Sequence, residues 1–177
     1  SQLDRLAARG LEALVGLELE LRVFRQTYDE IHDGGYVDLR PASRGNVDYA
    51  LSGLDGLEPV VGRLRRAMTA AGLRIESARG ECAPGQYEIT FRYRDALGAC
   101  DDAVLYKTAA RQLAAEAGAA VTFMAKVDGH EGSSGHVHCS LRATDGRAVL
   151  ADPAAADGWA PMLHRAVAGT VATMAEL

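Results

Sequence analysis

Apolar positions along the chain recur with two different periods, and each period marks its own kind of element. Leu57, Val61, Leu64, Met68 and Ala71 fall three or four residues apart, on one stripe of a helix over 57–71 that Gly72 stops. A second stripe, Ala99, Ala103, Tyr106, Ala110, Leu113 and Ala117, ends at Gly118, and its small residues suit close approach to a sheet. Helical patterning also covers 2–14 and 159–172, the latter running to the chain end without a stop signal, as a truncated chain would read. Its apolar stripe of Trp159, Met162, Leu163, Val167 and Val171 is expected to pack against further structure or to promote self-association.

Alternation with a period of two predicts strands at 17–24, 73–82, 86–93, 121–125 and 136–142. Ala83-Pro84-Gly85 joins two of them by a hairpin-like reversal, 25–53 reads as a long loop, and 151–157 as a surface connection. The expected fold is therefore α+β, a mostly antiparallel sheet with packed helices.

Composition narrows the field. A chain of 177 residues with 48% hydrophobic and 24% charged residues can bury one core, which predicts one domain. Acidic residues outnumber basic ones by 24 to 19, so no electrostatic footprint for nucleic acid is present. No apolar run reaches membrane-spanning length and the first residues are not signal-like, so a cytoplasmic protein is expected. Cys82, Cys100 and Cys139 are odd in number and lie in no CxxC arrangement, which suggests neither a disulfide framework nor a cysteine zinc site.

Chemistry concentrates on the strands. In Leu17-Glu18-Leu19-Glu20-Leu21 the strand period puts both carboxylates on one face, roughly 7 Å apart. Taken alone, that pair also fits a solvated sheet face. His136-Val137-His138-Cys139-Ser140 likewise puts two imidazoles and a hydroxyl on one face. His-x-His also opens the cupin metal motif, but Arg142 and Ala143 stand where cupins need a glutamate, and HExxH is absent. A reversal at Pro84-Gly85 would bring Glu81 and Glu88 across from each other on neighbouring strands, where like charges repel without a cation. This oxygen-rich set suits Mg²⁺ or Mn²⁺ better than structural zinc, and hard divalent ions usually mean phosphate chemistry.

Gly16-Leu17-Glu18-Leu19-Glu20, Glu81 through Gln86 to Glu88, Phe123-Met124-Ala125-Lys126 and Gly132-Ser133-Ser134-Gly135-His136-Val137-His138-Cys139-Ser140-Leu141 resemble, in order, the signature blocks of the glutamine synthetase family. The resemblance covers nearly the whole chain, including Tyr106-Lys107, but only the middle of family members. Residues 1–177 thus read as a partial catalytic domain without the family's N-terminal small sheet domain and C-terminal third. Carried over, it implies Glu20, Glu81 and Glu88 as ligands of one metal and Glu18 and His136 as ligands of a second, whose remaining carboxylate lies beyond Leu177. It implies Glu76, Tyr93, His138 and Ser140 at the nucleotide, with Tyr93 packing on adenine. That role for Tyr93 requires a bend or bulge, because strict alternation turns it away from Glu88.

The implied reaction is ATP-dependent: the glutamate side chain is phosphorylated, and an amine attacks the acyl phosphate to give a γ-glutamyl amide. Glu131-Gly132-Ser133-Ser134 stands where glutamine-forming members have Asn-Gly-Ser-Gly, which marks Glu131 and Gly132 as substrate-binding and puts ammonia in doubt. Asp38-Leu39-Arg40-Pro41-Ala42-Ser43 and Asn46-Val47-Asp48-Tyr49-Ala50 look most like the branch that uses polyamines or ethanolamine-like amines. The resemblance also implies a homo-oligomer. The competing expectation is a truncated, non-catalytic metal- or nucleotide-binding or assembly module of the same fold.

Overall fold

The computed structural model describes residues 1–45, 48–50 and 57–176. Asn46 and Val47 of the block compared with the polyamine branch lie outside the described residues. In chain order the elements are α1 (Gln2–Ala7), β1 (Leu11–Phe24), α2 (Tyr28–Asp33), a π-helical turn (Glu58–Gly62), α3 (Arg63–Ala70), β2 (Ile75–Gly80), β3 (Gln86–Phe91), β4 (Arg94–Asp95), α4 (Ala96–Glu116), β5 (Ala120–Thr122), β6 (Gly135–Ala143), α5 (Pro161–Thr173) and a closing 3₁₀ turn (Met174–Glu176). The strands form a six-stranded sheet in the order β2-β3-β1-β4, with β5 and β6 also pairing with β1. The α+β class with an antiparallel sheet is as expected.

By contacts the chain divides into two compact units: Gly16–His138, and Ser1–Val15 together with Cys139–Leu177. The first holds every buried apolar residue among those described except Ala143. Its centre is β1, antiparallel to β3 from Glu18↔Thr90 to Arg22↔Gln86 and to β5 from Arg22↔Thr122 to Phe24↔Ala120. Leu19, Leu21, Val23, Tyr87, Ile89 and Phe91 alternate onto one face and pack on Leu64 and Met68 of α3 and on Tyr106, Ala110 and Ala114 of α4. The small side chains of α4 let the helix lie close to the sheet, as the alanine stripe predicts. The ring of Tyr106 is clamped edge-on by Phe91 at 5.2 Å and Phe123 at 5.3 Å.

The hairpin forms at Pro84-Gly85. Gly85 has φ +71°, and a Cβ there would meet the Val23 carbonyl oxygen at 2.6 Å, so both conformation and space require glycine. The loop expected over 25–53 contains a helix instead, α2, started by a capping box in which Thr27 accepts from the Glu30 amide and the Glu30 carboxylate accepts from the Thr27 amide.

In the second unit, the helix expected over 2–14 stops at Ala7, and Gly10 turns the chain at φ +67° into β1. Long-range pairing outweighs the local helical pattern: Thr144 N donates to the Gly10 carbonyl, and Arg142 Nε donates to Glu12 at 2.9 Å. The C-terminal helix forms as α5, but none of its residues is buried, and Trp159, Val167 and Val171 stay exposed. Among the described residues no helix is long and apolar enough to cross a membrane.

Candidate metal centre

The sheet face opposite the apolar core carries Glu18, Glu20 and Arg22 of β1, Gln86, Glu88 and Thr90 of β3, and Arg79 of β2. Strand parity puts them there: each is two residues from the next on its strand, and the register sets Glu20 opposite Glu88 and Glu88 opposite Arg79. Unlike a solvated face, this one is enclosed, with Glu88, Arg22 and Gln86 each 2% exposed.

Two groups of ligand atoms come together. One oxygen each from Glu20, Glu81 and Glu88 lies within 4.8 Å of the others, and so do single ligand atoms of Glu18, Glu88 and His136. Glu88 belongs to both. A third group, Asp48, Glu81 and Cys82, extends from Glu81 toward exposed side chains.

Each acid is held differently. Glu20 accepts from the Ser134 amide at 2.9 Å, the Ser134 hydroxyl and the Gln86 side-chain amide. Gln86 also donates to the Gly132 carbonyl at 2.9 Å and accepts from the Ala83 amide at 3.1 Å, so one buried side chain ties together the hairpin, Glu20 and the glycine loop that precedes β6, residues 129–134. Glu18 lies 3.2 Å from His136 Nδ1 and 3.2 Å from His138 Nε2. Partial burial would raise its pKa, but the hydrogen bonds from His138 and His136 outweigh that and hold it below the ordinary value. Glu81 goes the other way: burial, then the charges of Glu88 and Glu20, push it up, and Arg79 only partly offsets them.

Arg22 fixes the glycine loop from below. Its Nη2 donates to the Glu131 carbonyl at 2.6 Å and its Nη1 to the Pro84 carbonyl at 3.2 Å, while Nε is buried without a partner among the described residues. The Glu131 side chain is exposed. At Gly132 a Cβ would meet the Ala125 carbonyl oxygen at 2.8 Å, so the loop tolerates no side chain there.

The residues expected at the nucleotide are only partly brought together. Tyr93 and His138 flank Gly16, their Cβ atoms 3.6 and 3.7 Å from where a Cβ on Gly16 would stand. Tyr93 lies beyond β3, which ends at Phe91, so strand alternation does not fix its direction; the register slip in this part of the sheet is on β2, between Ile75 and Ser77, and leaves Glu76 as the extra residue. Glu76 lines a groove between α3 and β2 with Glu58, Arg65 and Arg66, and none of the other expected site residues lines it. Ser140 is exposed on β6 in the second unit.

Arg22, Arg79, Gln86 and Ser134 were not anticipated. Parity alone points to three of them, since Arg22 continues Glu18-Glu20, Gln86 precedes Glu88 by two, and Arg79 precedes Glu81 by two.

Four carboxylates, Glu18, Glu20, Glu81 and Glu88, with the His136 imidazole at the rim, form a hard-donor cluster that fits Mg²⁺ or Mn²⁺. The sequence profile described as glutamine synthetase, catalytic domain, matches residues 1–177, and the chain belongs to that family. It is 46% identical over 175 residues to the gamma-glutamylethanolamide synthetase GlnA4 of Streptomyces coelicolor, covering 99% of this chain and 37% of that protein. It is 31% identical to the glutamate–isopropylamine ligase of a Pseudomonas species, covering 99% of this chain and 38% of the relative. A solved structure of GmaS without ligand superposes with a TM-score of 0.83 at 23% identity, covering 97% of this chain and 39% of that one, and shares the fold. The chain thus spans well under half the length of these relatives.

Proposed function

We propose that this chain is the metal-binding and part of the nucleotide-binding region of an ATP-dependent ligase that joins glutamate to an amine. The observation that carries the reading is the convergence of Glu20, Glu81 and Glu88 beside Glu18 and His136, with Glu88 common to both groups. Mg²⁺ or Mn²⁺ bound there would offset the negative charge of a transferring phosphoryl group.

The chain's own residues do the rest. Gln86 and Ser134 orient the Glu20 carboxylate, and the two histidines keep Glu18 ionised. Tyr93 offers an exposed ring to adenine beside His138. Glu131 and Gly132 take the substrate side: Arg22 pins the backbone and leaves the Glu131 carboxylate facing solvent, where it would attract an alkylammonium. Relatives named for ethanolamide, isopropylamine and putrescine chemistry support an organic amine over ammonia.

Calorimetric titration of the chain with Mn²⁺ and a non-hydrolysable ATP analogue, beside Glu20→Ala and Glu81→Ala, tests the reading. Binding by the parent that both variants lose supports it; no binding by the parent sinks it. Binding of both ligands by a full-length relative of this chain that yields no ADP with glutamate and any amine would favour the non-catalytic module.

A further inference from the structure

We propose that Arg79 is a resident counter-ion of the carboxylate cluster, which a divalent cation must displace from Glu88. The inference rests on the cation-binding reading above, and concerns what holds the acids together without the ion.

Glu88 is 2% exposed, and a lone ionised carboxylate at such burial is strongly disfavoured. Its neutralising partner is Arg79, opposite it on β2. Arg79 Nε, at 2.8 Å, and Nη2 both donate to the same oxygen, Oε2. The same Nε lies 3.4 Å from Glu81 Oε1. One guanidinium therefore spans two of the three carboxylates whose oxygens come within 4.8 Å.

A divalent ion held by those oxygens would stand a few ångströms from a fixed positive charge, and the two would compete for the same acceptor atoms. Arginine cannot leave by losing a proton, so it has to move. It has somewhere to go: the side chain is 29% exposed, and its guanidinium already sits 5.3 Å from the centroid of the exposed Tyr49 ring. Released from Glu88, it keeps a cation–π surface and gains water. Cation uptake is then an exchange of one positive group for another, and the acids need not repel one another when no ion is bound.

The test uses the EDTA-treated chain, with Mn²⁺ as the probe, in the parent and in Arg79→Gln, Arg79→Lys and the double variant Arg79→Gln/Glu88→Gln. Arg79→Gln is expected to bind Mn²⁺ at least about tenfold more tightly than the parent, with a lower Tm in EDTA that saturating Mn²⁺ restores. Arg79→Lys keeps the charge without the double donation and should fall between. The double variant should regain the EDTA Tm and lose Mn²⁺ binding. If the parent binds Mn²⁺ and Arg79→Gln binds it equally or more weakly, Arg79 is not displaced and the proposal fails. No binding by any variant would instead overturn the cation reading itself, a distinct outcome.

Discussion

Glu20 on β1 stands directly opposite Glu88 on β3, two carboxylates in register on an enclosed sheet face. Directly opposed like charges destabilise a strand pair, and Glu81 adds a third. The hydrogen bonds of Ser134 and Gln86 on Glu20, and Arg79 on Glu88, offset the repulsion, leaving Glu81 as the acid whose ionisation the fold opposes.

A pH dependence follows, with its sign set by the raised pKa of Glu81. A carboxyl whose folded pKa lies above its unfolded value opposes folding once ionised, so its penalty is absent in acid and grows as pH rises through the ordinary value of 4.5 and beyond. Glu81→Gln should therefore raise Tm in EDTA at neutral pH, with the gain shrinking toward acid, while Mn²⁺ binding is lost. Thermal melts between about pH 4 and 8 with and without Mn²⁺ would show it. A variant less stable than the parent at neutral pH in EDTA would contradict the account.

Gln86 is the side chain on which the site's geometry depends most. Removing it leaves the buried Ala83 amide without its partner, takes a donor from the Gly132 carbonyl, and frees the Glu20 carboxylate to rotate. Gln86→Ala should destabilise the chain by about 1–3 kcal/mol, read by denaturant unfolding. It should also weaken Mn²⁺ binding by roughly 10- to 100-fold, the usual effect of losing a group that orients a ligand. Ser134→Ala, which removes only a partly exposed hydroxyl, should weaken binding with little change in stability, separating the two effects.

What could be read from the sequence follows from how local each signal is. Strand parity placed Glu18 with Glu20, and the turn at Pro84-Gly85 brought Glu81 to the same cluster as Glu88, because both arguments need only neighbours along the chain or across one turn. But the residue expected across from Glu88 was Glu81, and the register puts Arg79 there, with Glu81 just past the end of β2. The true ends of β1 were not legible in this way. Residues 11–14 fit a helical stripe as well as a strand, and only pairing with distant residues such as Arg142 and Thr144 decides between them. The helix α2 had a local signal, Thr27 three residues before Glu30, that the poor apolar periodicity of 25–53 concealed. Parity puts Arg79 and Arg22 on the acid-bearing face, but nothing local says what they bond there. Their roles exist only because the neighbouring strand and the glycine loop close over them.

Tyr106 of α4 packs on the apolar face of the sheet whose opposite face carries the acids, and this packing is separable from the site. Tyr106 is fully buried between Phe91 and Phe123, with its hydroxyl 3.5 Å from the Leu19 carbonyl, one residue from Glu20. Burial first, and then the nearby Glu88 charge, push its phenol pKa well up, so the hydroxyl stays protonated throughout the accessible pH range. The ring, rather than the long hydroxyl contact, supplies most of its stabilisation. Tyr106→Phe should change stability by less than about 1.5 kcal/mol, within the range of neutral hydrogen bonds. Tyr106→Ala should lose roughly 3–5 kcal/mol through the cavity it opens. If the two variants lost equal stability in urea melts, the hydroxyl would be the important group and the packing argument would be wrong. Mn²⁺ affinity in Tyr106→Phe should match the parent, since no atom of that residue belongs to either ligand group.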